Sequence, residues 1–477
     1  MLIFNPAYKL QNDKDRILLM ASPDGEYDNV CNYFIHPDIA YFLAQFDGRP
    51  GVQARLSRLG ISKSQIGRLT DLFTNNNKMA IRYEKEIIHL PANLLVSNIY
   101  NNTRSDLDID YTCETPYNFK RLRLSYPKSL VLIINLSCYT NCIYCYANRK
   151  HKYAPLPTGR ILELIKEARE IDVVSLTISG GEFFLHRDWK IILRTMLENN
   201  FKPELSTKVP IDEDSLRAAR ELGLDAIQFS LDTLDQRTAS KTLNVGDDYI
   251  HRITQSIRCA DALSMKIILK PTLCKETCNI PNISSIINFA TSLSHIERVT
   301  VSTMNSSLYL SQETNHALRP SVKQVEEVMK YLTGIHTSFN INPDSNLTRS
   351  NELRNQSIFN ERARCTANLD GFVILPDGKV TICEELYWHD AFLLGDLSQQ
   401  GIMDVWTSEK ALNLWNLDNG DMPEYTSCRT CEEIHQCRQN RGVCWKMILQ
   451  AYGMEKVFLP DPRCPKAPAP YFDIIDR

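Results

Sequence analysis

A strand–helix repeat dominates the middle of the chain. Six short apolar runs have the length and composition of buried strands: Leu130–Ile134, Val173–Ile178, Glu204–Thr207, Ala226–Leu231, Lys266–Thr272 and Arg298–Ser302. Segments with apolar residues at helical spacing follow them: Thr158–Arg169, Arg187–Asn199, Asp212–Leu222, Tyr249–Leu263, Ile283–Leu293 and Val322–Leu332. Six βα repeats with short loops predict an α/β fold, a parallel sheet curled into a partial TIM-like (β/α)6 barrel. Such barrels carry their chemistry at the C-terminal ends of the strands.

The first 105 residues have a different pattern. Tyr8–Leu10 and Arg16–Met20 flank a polar turn, which predicts a hairpin. Helical spacing follows in Ile39–Phe46 and again from Ile61 to Phe73, and Arg82–Leu90 has the composition of a strand or hairpin. Two short helices between β elements predict a winged-helix domain over residues 1–105.

The remaining boundaries come from changes in composition. Residues 106–127 are polar and without periodicity, so we predict a linker. The barrel is expected over residues 128–335, and an Asn- and Ser-rich bridging segment over 336–362. The remainder, 363–477, is dense in cysteine and forms the predicted C-terminal domain.

Composition and charge narrow the classes of partner. The chain has 477 residues, of which 43% are hydrophobic and 23% charged, as in soluble globular proteins. With 54 Lys and Arg against 57 Asp and Glu, the net charge of −3 gives no basic surface for nucleic acid. No signal peptide and no run of about 20 apolar residues is found. We therefore expect a cytoplasmic protein with neither nucleic-acid nor membrane partners.

Fifteen cysteines without a secretion signal indicate metal ligation rather than disulfides. Cys138, Cys142 and Cys145 follow the first predicted barrel strand with C-x-x-x-C-x-x-C spacing. Three thiolates on one loop can hold three irons of a 4Fe–4S cluster and leave the fourth iron open. The alternatives are a zinc site that lacks its fourth ligand and three unrelated cysteines.

This motif resembles the signature of the radical S-adenosylmethionine (SAM) superfamily. The resemblance implies that the open iron binds SAM, that the reduced cluster cleaves it to a hydrogen-abstracting deoxyadenosyl radical, and that Tyr144 lies near the adenine. Gly180, Gly181 and Glu182 follow the second strand and match the family's Gly-Gly-Glu motif, which contacts the SAM amino group. Paired glycines also allow close backbone approach, and a carboxylate can balance an ammonium.

Two further strand ends carry weaker matches. Ser206 ends the third strand, but Thr207-Lys208-Val209 stands where relatives often have Thr-Asn-Gly. Ser230 and Asp232 end the fourth strand and resemble the family's Ser-x-Asp, a ribose or carboxylate contact. An ordinary strand-end cap is the alternative for Ser230.

The second cysteine group resembles the SPASM domain, which carries up to two further 4Fe–4S clusters in radical SAM enzymes. By position, the resemblance assigns Cys365, Cys383 and Cys444 to a first auxiliary cluster. It assigns the other four to a second auxiliary cluster: Cys428, Cys431, Cys437 and Cys464. The first cluster then has three obvious ligands, so either another residue completes it or one iron is open. Zinc sites remain the alternative, since Cys428-x-x-Cys431 alone is a common zinc half-site.

Glu384 and Glu385 follow Cys383 directly. Some SPASM enzymes have an acidic residue at this place that accepts a proton after hydrogen abstraction, so these are the candidate catalytic residues. A solvated acidic pair is the alternative.

The N-terminal pattern, with His36-Pro37-Asp38 and Leu59-Gly60-Ile61-Ser62, resembles a RiPP recognition element. RiPPs are ribosomally synthesised, post-translationally modified peptides, and this element binds their leader. The resemblances together imply a radical SAM/SPASM oxidoreductase that modifies a precursor peptide, with a crosslink as the expected product. A reducing partner such as flavodoxin or ferredoxin is implied. The alternatives are a sulfatase-type maturase that oxidises Cys or Ser to formylglycine and a non-catalytic metal-cluster binding protein.

Overall fold

The computed structural model describes residues 1–21, 32–83, 86–99, 102–107, 118–343, 359–360, 362 and 364–472. The chain divides into two compact units, Met1–Tyr126 and Pro127–Arg477. In the described part of the chain, no helix has the length and apolar character that crossing a bilayer requires. Cys31 and Cys113 lie outside the described residues.

The first unit combines short antiparallel strands with three helices. Its strands are β1 Leu2–Phe4, β2 Tyr8–Asn12, β3 Ile17–Ala21, β4 Asn32–Ile35, β5 Met79–Tyr83, β6 Glu86–Leu90 and β7 Leu95–Ser97. Its helices are α1 Pro37–Ala44, α2 Val52–Arg58 and α3 Lys63–Phe73. The predicted β2–β3 hairpin is confirmed, and so is a hairpin of β5 with β6. Sequence patterning missed α2, which has a single buried apolar side chain, Leu56.

Local capping explains where the two predicted helices begin. The His36 ring accepts a hydrogen bond from the Asp38 amide, and Pro37 occupies the first turn of α1. Ser62 and Gln65 form a reciprocal capping box at the start of α3. Phe42 of α1 and Phe73 of α3 then pack 5.5 Å apart in the core of this unit.

The last residues of the predicted linker are anchored to the β2–β3 hairpin. The fully buried Arg16 pairs with Asp13 at 2.7 Å. Its guanidinium also donates 2.9 Å to the carbonyl of Asn118. The second carboxylate oxygen of Asp13 accepts from the Ser125 amide at 2.6 Å. Because these buried charges depend on the linker's backbone for hydrogen bonds, residues 118–125 pack as part of the first unit.

The second unit contains the barrel and the C-terminal region. Its strands are β8 Ser129–Ile133, β9 Ser175–Ser179, β10 Leu205–Thr207, β11 Ala226–Phe229, β12 Lys266–Leu269, β13 Thr272–Leu273, β14 Ile296–Thr303, β15 Asn340–Pro343, β16 Gly371–Ile374, β17 Lys379–Thr381 and β18 Leu393–Asp396. Its helices are α4 Thr158–Glu170, α5 Trp189–Glu198, α6 Glu213–Leu222, α7 Gln236–Leu243, α8 Tyr249–Ala262, α9 Ile280–Thr291, α10 Gln312–Leu318, α11 Val322–Gly334, α12 Ile402–Trp406, α13 Glu409–Trp415 and α14 Trp445–Tyr452.

All six predicted barrel strands form, as β8, β9, β10, β11, β12 and β14, and the partial TIM-like barrel is confirmed. Their hydrogen-bonded ladder is not continuous, because β8 pairs with β9 while β10, β11, β12 and β14 form a second parallel sheet. The six predicted helices also form, whereas the short helices α7 and α10 were not predicted. Strand β15 lies in the predicted bridging segment and pairs in parallel with β14.

The cysteine-rich region extends the barrel sheet rather than standing apart from it. Strand β16 pairs in parallel with β8, and β17 and β18 continue the sheet outwards. Pairing removes the exposed edge that β8 would otherwise present. Gly371 permits the close approach, because a Cβ there would collide with the backbone of Ser129. The loop with Cys138, Cys142 and Cys145 and the segment with Cys383 therefore follow strands of one sheet.

Candidate active site

The first cysteine group lies on the loop after β8. Cys138, Cys142 and Cys145 are each partly buried and unpaired by disulfide. The loop is held from below by α7, since the Asn141 amide donates 2.8 Å to the carbonyl of Leu243. Burial, with a smaller contribution from the Glu182 carboxylate, raises the pKa of the Cys138 thiol to about 12. A bound metal cluster would hold these sulfurs as thiolates.

The Gly180-Gly181 turn after β9 lies directly against that loop. The Gly181 amide donates 2.7 Å to the carbonyl of Asn135, and the Glu182 amide donates 2.9 Å to that of Ser137. A Cβ on Gly181 would come within 2.5 Å of the Asn135 side chain, and Gly180 has a φ of +103°. The glycines therefore allow the two chain segments to come into contact. From the sequence they had instead been explained by close approach of the backbone to a ligand.

Glu182 is held in a fixed orientation inside the barrel. Its carboxylate accepts from the Thr207 hydroxyl at 2.8 Å and from the Lys208 amide at 2.9 Å. Only 5% of the residue is exposed. Burial raises the pKa of this carboxyl to about 7, although both hydrogen bonds act in the opposite direction. The group therefore titrates near neutral pH.

A buried ion pair spans the third and fourth strand ends. Lys208 Nζ lies 2.7 Å from the Asp232 carboxylate, which also accepts from the Tyr144 hydroxyl. Burial lowers the pKa of Lys208, but Asp232 and Cys142 outweigh it, and the net direction is upward. The structure thus brings together Tyr144 and Asp232, two of the predicted site residues. Lys208 was not a predicted site residue. The sequence feature that could have identified it is its position at the end of a strand, where relatives often have Asn.

The two predicted serines lie in different settings. Ser206 is exposed, on the opposite face of β10 from the buried Thr207, so the structure does not bring it to Glu182. The Ser230 amide donates 2.9 Å to the carbonyl of Thr207. Its hydroxyl accepts from Gln228 at 3.2 Å. At the end of β10 it is Thr207, and not Ser206, that contacts Glu182.

The two candidate acids after Cys383 have different partners. Glu384 accepts from the Ser179 hydroxyl at 2.9 Å and from the Tyr146 hydroxyl at 3.4 Å. Glu385 instead pairs with Lys446 at 2.5 Å. Ser179 ends β9 and Tyr146 follows Cys145, so the carboxylate of Glu384 faces the cysteine loop of the barrel.

The first auxiliary cysteines lie close enough to influence one another electrostatically. Burial raises the pKa of the Cys444 thiol to about 12, and Cys365 adds to the effect. Burial also raises the pKa of Cys383, to which Cys365 and Cys444 both contribute. Gly442, with a φ of +70°, allows the chain before Cys444 to pass within van der Waals contact of Cys365.

The other four cysteines share one cavity. Cys428, Cys431, Cys437 and Cys464 all line a cavity of about 170 Å³. Cys437 lies in a π-helical turn, Gln436–Arg441, which takes up the residues that make this loop longer than the family pattern. Although the loop between Cys437 and Cys444 is longer, Cys437 still lines the cavity with the other three cysteines.

The donor set suits clusters rather than single ions. Among the described residues, no three or more His, Cys, Asp or Glu side chains are arranged to hold one metal ion. A zinc ion draws its sulfur ligands to about 2.3 Å. Four cysteine thiolates are a usual ligand set of a 4Fe–4S cluster, and Cys428, Cys431, Cys437 and Cys464 line one cavity of about 170 Å³.

Two family models match the chain in the same regions. Residues 132–269 match the radical SAM superfamily, and residues 365–432 match SPASM, an iron–sulfur cluster-binding domain. The chain carries a radical SAM domain and a SPASM domain. A radical SAM domain needs SAM and a 4Fe–4S cluster, and a SPASM domain binds auxiliary iron–sulfur clusters. The SPASM match ends before Cys437, Cys444 and Cys464, so those ligands are assigned by position.

Curated relatives share sequence with parts of the chain. A probable GTP 3',8-cyclase of Methanococcus maripaludis (strain C6) is 25% identical over 36% of this chain. The chain covers 58% of the length of that relative. The PqqA peptide cyclase of Gluconobacter oxydans (strain 621H) is 24% identical over 74% of this chain and 93% of its own length.

Solved structures extend the similarity of fold to nearly the whole chain. SuiB of Streptococcus suis bound to S-adenosylmethionine has 16% identity and a TM-score of 0.64, covering 97% of this chain and 99% of SuiB. SuiB bound to its precursor peptide SuiA has 15% identity and the same TM-score and coverage. At these identities the likeness shows a shared fold.

Replacing Gly181 should displace the cysteine loop. We expect Gly181→Ala to lose the radical SAM cluster on anaerobic reconstitution, because the added Cβ has no room beside Asn135. Iron analysis should then show about four fewer irons per chain than in the parent. The matched control is Gly159→Ala on α4, where a Cβ meets nothing within 4 Å. Full iron content in Gly181→Ala would contradict this role of the glycine turn.

SAM binding should depend on the ionisation of Glu182. Its carboxyl has a pKa of about 7, so it becomes protonated as the pH falls through that value. If the carboxylate holds the SAM ammonium, affinity should weaken by up to about tenfold per pH unit below 7. Equilibrium dialysis of reconstituted protein at pH 6 and pH 8 measures this. Glu182→Gln should bind SAM weakly at both values, and a variant with the parent's pH dependence would contradict the assignment.

Proposed function

We propose that this radical SAM enzyme abstracts hydrogen from a residue of a ribosomally synthesised precursor peptide and installs a crosslink. The observation that carries the proposal is the contact of Glu384 with Ser179 and Tyr146. It places an acid of the SPASM domain beside the loop that would hold SAM. A site made from both domains can therefore take a hydrogen atom and a proton from one substrate.

The residues of the barrel would orient SAM. Glu182, fixed by Thr207 and the Lys208 amide, is a buried carboxylate that suits the SAM ammonium. Asp232 suits a ribose hydroxyl or, through Lys208, the SAM carboxylate. When bound at Cys138, Cys142 and Cys145, the cluster supplies the electron that cleaves SAM to the hydrogen-abstracting radical.

Glu384 is the proposed proton acceptor. The hydroxyls of Ser179 and Tyr146 hold its carboxylate in one orientation. The carboxylate of Glu385 lies 2.5 Å from the ammonium of Lys446, whose side chain is only 9% exposed. Glu385 is therefore better explained as part of a structural ion pair. Of the two candidates from the sequence, the contacts favour Glu384.

Two comparisons support a peptide as the substrate. SuiB, whose structure covers 97% of this chain, is described with a bound precursor peptide, and a PqqA peptide cyclase is related over 74% of the chain. Residues 1–105, within the first unit Met1–Tyr126, are then the proposed RiPP recognition element that binds the leader. Flavodoxin or ferredoxin is the proposed reductant. The two remaining cysteine sets are the proposed ligands of two auxiliary clusters, which would take up the electron left over when the substrate has lost a hydrogen atom and a proton.

A precursor peptide, sought among short open reading frames next to the gene, provides the direct test. We expect the reconstituted enzyme with SAM and dithionite to produce 5'-deoxyadenosine and a peptide lighter by two hydrogens. The same peptide without its leader should react far more slowly. Replacing Cys138, Cys142 and Cys145 together by Ala should abolish both products. The matched control is Cys259→Ala on α8, a partly exposed cysteine outside the site. An unchanged peptide mass despite rapid SAM cleavage would reject the proposal.

Removing the proposed proton acceptor should uncouple the two products. We expect Glu384→Gln to lower peptide product by about 100-fold or more, because no carboxylate is left to take the proton. Formation of 5'-deoxyadenosine should continue, since the residues proposed to orient SAM, Glu182 and Asp232, are unchanged. Glu385→Gln, which breaks the ion pair with Lys446, serves as the neighbouring control and should keep the ratio of the two products. Parent-like coupling in Glu384→Gln would exclude this role.

A further inference from the structure

Three cations surround the cysteines of the 170 Å³ cavity. Arg362 Nη2 lies 3.5 Å from the sulfur of Cys437, and Lys466 Nζ lies 3.5 Å from that of Cys431. Arg438 Nη2 lies 3.7 Å from the sulfur of Cys428. All three cations line the same cavity. Three of the four sulfurs are thus each in contact with a cation, and the three cations are different.

The two arginines are buried and have unused donors. Arg362 is 7% exposed and Arg438 is 6% exposed. Among the described residues, Nε of Arg362 and both Nε and Nη1 of Arg438 have no hydrogen-bond partner. In the same described part of the chain, no carboxylate lies within 4.0 Å of either guanidinium. Asp461, which also lines the cavity, is engaged by Arg463 at 2.7 Å.

Buried cations without a counterion are costly. Taking a charged group out of water costs several kcal/mol unless an opposite charge faces it. A 4Fe–4S cluster with four thiolate ligands carries net negative charge, and its one-electron reduction adds one more. The cavity therefore has the size, the sulfurs and the positive charge that such a cluster requires.

We propose that Arg362, Arg438 and Lys466 form a cationic cage that neutralises the second auxiliary cluster and raises its reduction potential above that of the first. The proposal rests on the ligand set given above, Cys428, Cys431, Cys437 and Cys464. Cations beside the sulfurs stabilise the reduced cluster more than the oxidised one, because the reduced cluster carries the larger negative charge.

The first auxiliary site has no comparable excess of positive charge. Its nearest carboxylates are Asp461, which accepts from the Cys444 amide, and Glu385, beside Cys383. Each is paired with one cation, Asp461 with Arg463 and Glu385 with Lys446. Arg438 also lines a smaller cavity with Cys365, but among the described residues no cation contacts the sulfur of Cys365, Cys383 or Cys444. The second cluster is therefore the one expected to be more easily reduced.

The test is a redox titration of the reconstituted full chain, followed by electron paramagnetic resonance. Lys466→Gln is the first variant, because its side chain is exposed and its removal leaves the fold intact. We expect the potential of the second cluster to fall while the other two stay unchanged. A tenfold loss in the ratio of reduced to oxidised cluster corresponds to about 59 mV. Lys466→Arg should restore the parent value. Lys166→Gln, an exposed lysine on α4, is the matched control.

Arg438→Gln tests the buried part of the cage. Either a lower potential of the second cluster or a loss of about four irons supports the cage, since both follow from a missing counterion. A parent-like potential with full iron in both Lys466→Gln and Arg438→Gln would overturn it. The double variant Cys428→Ala, Cys431→Ala distinguishes failure of the cage proposal from a wrong assignment of the cluster ligands. If that double variant keeps all its iron, the assignment of the second cluster is wrong.

Discussion

The contact between the cysteine loop and the Gly180-Gly181 turn is the constraint on which the site depends. Both segments leave neighbouring parallel strands, β8 and β9, at the same end of the sheet. Two backbone hydrogen bonds join them, from Gly181 to Asn135 and from Glu182 to Ser137. This single contact fixes the three thiols relative to Glu182, and with them the place where SAM would bind.

The sheet carries this geometry into the C-terminal region. Because β16 pairs with β8 and β17 pairs with β16, the strand that leads to Cys383 and Glu384 belongs to the same sheet as the strand that leads to the first cysteine loop. A carboxylate 205 residues from Ser179 in sequence can therefore contact it. The two cysteine groups then differ in their electrostatic surroundings, with paired charges near Cys444 and unpaired cations near Cys428.

Sequence patterning predicted what depends on local periodicity. It found all six barrel strands and the two helical segments that became α1 and α3, since apolar spacing is a local property. It missed the pairing of β16 with β8 and the break between β9 and β10, which depend on contacts between distant segments. It grouped the cysteines by motif and could not separate Glu384 from Glu385, because their partners lie on other strands. Lys208 was missed because its role depends on Asp232 across the barrel.

The central claim is that Cys138, Cys142 and Cys145 leave one iron for SAM to bind. Electron–nuclear double resonance of the reduced, reconstituted protein with SAM carrying a nitrogen-15 amino group tests it most directly. The account predicts a nitrogen coupling to one cluster, which disappears when these three cysteines are replaced by Ala and persists when Cys428 and Cys431 are replaced. No coupling in the parent protein, or a coupling that survives loss of the first three cysteines, would contradict it.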